Sequence, residues 1–322
     1  MNAALRVIVI ALSLGAAGAA QPQAYPDRPV RLLVGFPAGG GADIVARHFA
    51  AKLSEVLRQQ VLVDNRPGAG ATLAAEIAAR SPADGYTLFQ CGIASFAIAP
   101  ALYKNLRYDH MKDFTAVAFI GAAPNVLVVH PSLPVKSVAE FIDYLKANPG
   151  RVLYGSSGVG STLHLSMELF KSMTGVDIVH VPYKGGALAL TDLLGGHVQV
   201  MCDNVQAQLA VIRTGKVRAL GVSWARRVAQ LPEVPTIAES GLPGFEIGPW
   251  YGACAPAATP AAILGKLNAA AARALNSQEL RQRLADQGIE TNPMTAAQFG
   301  AFIRSETIKW AKVVKDAGVP AQ

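Results

Sequence analysis

The sequence predicts an α/β protein with mostly parallel sheets, arranged as two lobes. Three observations carry this. Short apolar runs alternate with helix-period stretches along the chain. Glycine-rich turns join several of those runs to the helix that follows. Two segments, a break at residues 121–124 and a strand at residues 250–256, mark crossings between the lobes. At 322 residues the chain is long enough for two domains and a large buried core.

The first unit is residues 31–43, RLLVGFPAGGGAD. Residues 31–34 read as a buried strand and residues 36–41 as a turn. A helix begins at Asp43, with Val45, Phe49, Leu53 and Val56 on one apolar stripe. A strand that ends in glycines before a helix leaves free N–H groups at the positive end of the helix dipole. That arrangement suits a carboxylate or phosphate. Taken alone, it is also an ordinary strand-to-helix turn.

Residues 61–64 form a second strand, residues 65–72 a second glycine-bearing loop, and residues 73–80 a helix. Gly68-Ala69-Gly70 falls short of a dinucleotide fingerprint, because Leu73 stands at the third glycine position and Pro67 lies in the turn. Residues 86–90 are a third strand, with a helix starting near 92–95. Strands follow at 117–120 and 125–130. Ser137 and Glu140 make a capping box for a helix that ends at 148–150. Residues 151–154 repeat the strand, and residues 155–162, GSSGVGST, repeat the glycine loop with hydroxyl donors added, ahead of a helix over 163–173. Two anion-competent helix starts in separate halves of the chain suggest one ligand held between two lobes.

Residues 178–186 then form a strand feeding a glycine turn, and a helix follows over 187–194. Strands come next at 198–201 and 217–222, then a short helix at 236–240 and a second crossing strand at 250–256. The C-terminal part is helical, over 261–276, 278–287 and 296–316.

Composition narrows the function. Apolar residues make up 51% and charged residues 16%, which excludes general disorder. The net charge of +7 is spread along the chain, with no zinc-finger spacing and no RNA-binding aromatic motif. Nucleic acid is therefore not an expected partner, while diffuse positive charge mildly favours anionic ligands. Residues 1–24 read as a signal peptide, with Arg6 in a basic start and an apolar run over 7–20 that is short of the roughly 20 residues a membrane span needs. The mature chain is expected to be exported and soluble. Cys91, Cys202 and Cys254 each sit in an apolar segment and read as buried thiols, with one bridge among them permitted.

Reaction chemistry is missing from the pattern. Ser161 with His164 is the best nucleophile–base candidate, but the G-x-S-x-G spacing is absent. The six histidines show no H-E-x-x-H spacing, and no carboxylate pair stands out. The expectation is a binding protein without catalytic residues, metal or cofactor.

At this point the motifs resemble a family. The matching residues, in order, are Tyr25-Pro26-Asp27-Arg28-Pro29-Val30, Phe36-Pro37-Ala38-Gly39-Gly40 with Asp43, Asn65-Arg66-Pro67-Gly68-Ala69-Gly70, and Asp84-Gly85-Tyr86-Thr87-Leu88. Gly155-Ser156-Ser157-Gly158 through His164, Pro182-Tyr183-Lys184-Gly185-Gly186 with residues 191–196, and Trp250-Tyr251-Gly252 continue the series. Over essentially the whole mature chain this resembles the Bug receptors, the extracytoplasmic solute-binding proteins of tripartite tricarboxylate transporters (the TctC-like family).

The resemblance implies a type II-like periplasmic-binding-protein fold, a "Venus flytrap". Residues 25–123 plus 249–322 would form one lobe and residues 124–248 the other. It implies a monomer in the periplasm, a small carboxylate ligand (an amino acid, a di- or tricarboxylate, or an aromatic acid), and membrane permease subunits as partners. Carried over by matched position, the first lobe would contribute Phe36, Pro37, Gly39, Gly40, Asp43, Gly68, Gly70 and Ser95. The second would contribute Ser156, Gly158, Gly160, Ser161, His164, Tyr183, Lys184, Gly185 and Asp203. Asp43 reads equally as a helix N-cap, and His164 as a helix-start residue.

Two departures concern the loops: Ala71-Thr72 stands where the family continues with Gly-Asn-type residues, and Leu188 stands where proline is common. Two rival functions share the same features, a sensing partner of a kinase ectodomain and an α/β serine hydrolase.

Overall fold

The structure, a computed structural model, describes residues 25–316; the expected signal peptide lies outside them. The strands are β1 (Val30–Val34), β2 (Val61–Asn65), β3 (Thr87–Gly92), β4 (Phe114–Ala122) and β5 (Asn125–Val129). They continue with β6 (Leu153–Ser156), β7 (Val179–Pro182), β8 (Val200–Asn204), β9 (Arg218–Val222) and β10 (Trp250–Pro256). The helices are α1 (Gly41–Leu57), α2 (Thr72–Ala79), α3 (Ala99–Leu102), α4 (Val138–Ala147) and α5 (Thr162–Thr174). After them come α6 (Gly186–Leu194), α7 (Val205–Arg213), α8 (Ala261–Asn276), α9 (Gln278–Asp286) and α10 (Ala296–Asp316).

The strands build two five-stranded sheets, ordered β2-β1-β3-β10-β4 and β7-β6-β8-β5-β9. β1 pairs in parallel with β2 and β3, and β6 in parallel with β7 and β8. β10 runs antiparallel between β3 and β4, and β5 runs antiparallel between β8 and β9. Four strands of each sheet share one direction, as repeated strand–loop–helix units require. The reversed fifth strand makes each sheet mixed. The chain leaves the first sheet at Ala122, enters the second at Asn125, and returns to the first at Trp250. Residues 250–256 are therefore an internal, fully buried strand, and the crossing lies just before them.

Burial explains the sequence pattern. β1 and β5 are covered on both faces and read as near-continuous apolar runs, while β3 is as deeply buried but carries Thr87 and Gln90. The edge strand β7 carries exposed positions and alternates weakly. On α1, Val45, Phe49 and Leu53 are buried against the first sheet, with Val56 partly buried beside them. Ser137 accepts from the Glu140 N–H as expected, but the Glu140 carboxylate accepts from Lys136 N–H, one residue ahead of the cap.

Three expectations need correction. Residues 236–240 form a single hydrogen-bonded turn, because Thr236 is tied to Val222 of β9 instead of entering a helix. α7 is an additional helix; Val205, Leu209 and Ile212 carry its apolar spacing, but it starts directly off β8 with no glycine turn to announce it. Cys91 and Cys254 are bridged across β3 and β10, and only Cys202 is a buried free thiol. Strand pairing brings the first two together, which their distance in sequence conceals.

Candidate ligand-binding cleft

The β1–α1 loop is held by one carboxylate. Asp43 Oδ2 accepts from Gly39 N (3.0 Å) and Arg47 Nε (2.8 Å), and Oδ1 accepts from Asn65 Nδ2 (2.9 Å). The same Asn65 amide also donates to Phe36 O. Burial pushes the Asp43 carboxyl up, but the bonds from Arg47, Gly39 and Asn65 outweigh it and hold the group below its ordinary value. Asp43 thus shapes the loop, and its side chain is not on the cavity wall.

The 155–162 loop is held from behind by an aromatic stack. His164 stacks on His180 with ring centroids 4.2 Å apart, and Tyr154 stacks on the other side at 4.8 Å. His180 Nε2 lies 2.7 Å from Ser156 Oγ, whose oxygen also accepts from Gly158 N. Gly160 N–H donates to His164 Nδ1, and Ser161 caps α5 by accepting from His164 N while donating to Gly158 O. Ser156, Ser161 and His164 are therefore buttresses of the loop. The Ser156–His180 contact is fully buried at its serine.

Burial and the neighbouring His164 push the His180 imidazole down to about 4. Its folded value lies below the ordinary 6.5, so it contributes stability above pH 6.5 that is lost as pH falls towards 4. His180→Phe keeps a ring in the stack and removes the titration. The wild-type melting temperature is expected to fall relative to the variant across that window; parallel melting curves would contradict it.

Between the two sheets lies a cavity of about 200 Å³. Its walls come from both lobes: Phe36, Pro37, residues 39–42, Ala71, residues 90–95 and residues 249–251 on one side, and Ser157, Thr162, Leu163, the α6 face from Gly186 to Leu194, Asp203, Asn204 and Ala207 on the other. The first turns of α1, α5, α6 and α7 all open onto it. Each leaves early N–H groups without an intrahelical acceptor, and four positive dipole ends converge on one space. Among the described residues no Lys, Arg or His is on this wall, and Asp203 is its only formally charged side chain.

A second, outer cavity of about 450 Å³ shares Phe36, Pro37 and Ser157 with the first. Gly68, Gly70, Gly158, Tyr183 and Lys184 border it. The lobes touch around these spaces. Gln206 Nε2 donates to Tyr251 OH (2.9 Å), and Tyr103 OH donates to Val159 O (3.3 Å). Gly185 faces Pro37 so closely that a Cβ there would sit 2.4 Å from the ring.

Of the expected site residues, Phe36, Pro37, Gly39, Gly40, Ser95 and Asp203 are on the inner wall, and Gly68, Gly70, Gly158, Tyr183 and Lys184 border the outer cavity. Gly160 and Gly185 sit at lobe–lobe contacts. Sequence reasoning missed Ser157, Thr162, Gln90, Asn204 and Tyr251. Ser157 carries the same signal as the expected Ser156, since both hydroxyls sit in the 155–162 glycine loop. Asn204 sat at a strand end with no glycine to mark a helix start. Ala71 holds φ +74° on the inner wall, a conformation glycine adopts freely, which accounts for a glycine in the family pattern there.

The family described as "Tripartite tricarboxylate transporter family receptor" matches residues 45–319. Protein BugT of Bordetella pertussis is 38% identical over 322 residues, covering 99% of each chain. The solved structure of Rpa4515 from R. palustris with adipate superposes with a TM-score of 0.90 at 41% identity, covering 92% of this chain and 100% of that one. MatC from Rhodopseudomonas palustris with bound malate gives a TM-score of 0.84 at 35% identity, covering 90% and 100%. This chain therefore belongs to the tripartite tricarboxylate transporter receptor family and is a two-lobed solute-binding receptor.

Proposed function

We propose that the cleft captures a small carboxylate-bearing solute and hands it to a tripartite tricarboxylate-type permease. The observation that carries this is the convergence of four helix N-termini on a cavity whose lining, among the described residues, includes no cationic side chain. Free N–H groups and hydroxyls supply the donors there, so neutral groups and dipoles recognise the anion. Relatives of the same fold holding adipate and malate support the reading.

In this proposal residues 25–123 plus 249–322 and residues 124–248 close as two bodies over the solute. The ligand's affinity for the closed form sets how far the equilibrium shifts. Phe36, Pro37, Gly39, Gly40, Ser95 and Asp203 touch the solute, and Gly68, Gly70, Gly158, Tyr183 and Lys184 line its way in. The receptor acts as a periplasmic monomer, transforms nothing, and needs no cofactor. No helix among the described residues is long and apolar enough to cross a membrane.

A carboxylate screen by thermal shift tests the ligand class. A ligand at 100 times its Kd stabilises by about 2.7 kcal/mol. Absence of any shift across mono-, di- and tricarboxylates at millimolar concentration would sink the reading, as would native mass spectrometry of the purified protein showing a bound cation or sugar instead.

A further inference from the structure

Asp203, the next-to-last residue of β8, lies on the inner wall of the cavity and is 2% exposed. Its partners are neutral: Oδ1 accepts from its neighbour Asn204 N (2.7 Å) and Oδ2 from Gln208 Nε2 (2.8 Å). Each oxygen keeps a further acceptor site. The residue across from it is Gly186, where an added Cβ would stand 3.6 Å and 3.7 Å from the two oxygens, in ordinary contact, so no side chain of α6's first residue intervenes on that side.

The titratable groups that interact with it are Cys202 on its own strand and Tyr251 on β10. Those on the other packed elements are engaged elsewhere: Asp192 with Tyr183, His164 with Gly160, and Glu168 with Tyr154 and Lys171. Arg213 lies in the last turn of α7, away from the cavity. A buried carboxylate with no cation is costly unless a donor or a proton meets it. Burial pushes its titration up to about 6.

We propose that Asp203 reads the inner end of the bound solute and requires a hydrogen-bond donor there: a hydroxyl, an ammonium, or a carboxyl group bound in its protonated form. The inference rests on the carboxylate reading of the cleft and names the solute more narrowly. One carboxylate of the solute meets the helix N-termini. A second ionised carboxylate beside Asp203 would place two like charges in one small cavity, and one of them must take up a proton. Solutes with two carboxylates therefore bind together with one proton, and solutes ending in hydroxyl or ammonium do not.

Isothermal titration with matched acids of three chain lengths, differing only at the far end, tests this. The far ends are methyl, hydroxyl, ammonium and carboxylate. In the wild type the hydroxyl and ammonium members are expected to bind at least about tenfold tighter than the methyl member. The dicarboxylate is expected to weaken about tenfold per pH unit above neutrality, the slope of one linked proton. Asp203→Asn should erase the preference and flatten that slope. A circular-dichroism spectrum and a cooperative melting transition like those of the wild type show that the variant is folded. Equal binding of all four ends by the wild type, or an unchanged order and slope in Asp203→Asn, overturns the proposal. Failure of every acid to bind overturns the carboxylate reading itself.

Discussion

Gly41→Ala is expected to weaken solute binding by about 5- to 150-fold while leaving the melting temperature of the solute-free protein unchanged or higher. Gly41 is the first residue of α1, where helical backbone suits alanine, and alanine is favoured over glycine in a helix by up to about 1 kcal/mol. With the lobes together, however, a Cβ there would lie 2.7 Å from Asn204 Nδ2, 2.7 Å from Gln206 Nε2 and 3.0 Å from Asn204 Cβ, all in the opposite lobe. Overpacking of this kind costs about 1–3 kcal/mol, and the penalty falls on the closed form alone. Apparent affinity drops by the corresponding factor. Titration calorimetry gives the affinity and calorimetric melting the stability; an unchanged Kd would mean that closure does not bring these surfaces together. Gly185 meets Pro37 across the same seam, but its φ of +149° adds backbone strain to any substitution, so Gly41 gives the cleaner separation.

The second large effect concerns the bridge. Replacing Cys91 and Cys254 together by alanine is expected to destabilise the protein by about 2–5 kcal/mol. The two cysteines are 163 residues apart, so the bridge closes a long loop in the unfolded chain. At this size the loss corresponds to a fall of about 4–10 °C in melting temperature. Differential scanning calorimetry under oxidising conditions reads it directly. An unchanged melting temperature would show that the pairing of β3 with β10 holds the seam without help.

Much of the fold was legible because its signals are local. The strand–glycine–helix order of residues 31–57 and 151–174 depends on turn chemistry and periodicity within one unit, and the structure keeps both. Position relative to the other lobe was not legible. Asp43 and Asn65 meet only when β1 and β2 pair, so an aspartate suited to a cap or a ligand turned out to hold the loop. His164 and His180 stack because β6 and β7 are neighbours, which no spacing within either segment announces. Thr236 was drawn from helix to turn by a bridge to a strand earlier in the chain. The glycines of the site are readable as turns, whereas the side chains that fill the inner wall are set by which elements face each other.

The insertion of β10 between β3 and β4 has a consequence for the order of folding. A chain emerging from its N-terminus has all five strands of the second sheet once Val222 is out. The first sheet still lacks β10, the strand that sits between β3 and β4, until Pro256 follows. Until then β3 and β4 have no partner between them, and the pairing that joins them spans a long stretch of sequence, which slows its formation. The lobe that begins the chain is therefore completed last, and its open strand edges persist while the whole second sheet is made, as sites where an unfinished chain can be held or can misassociate.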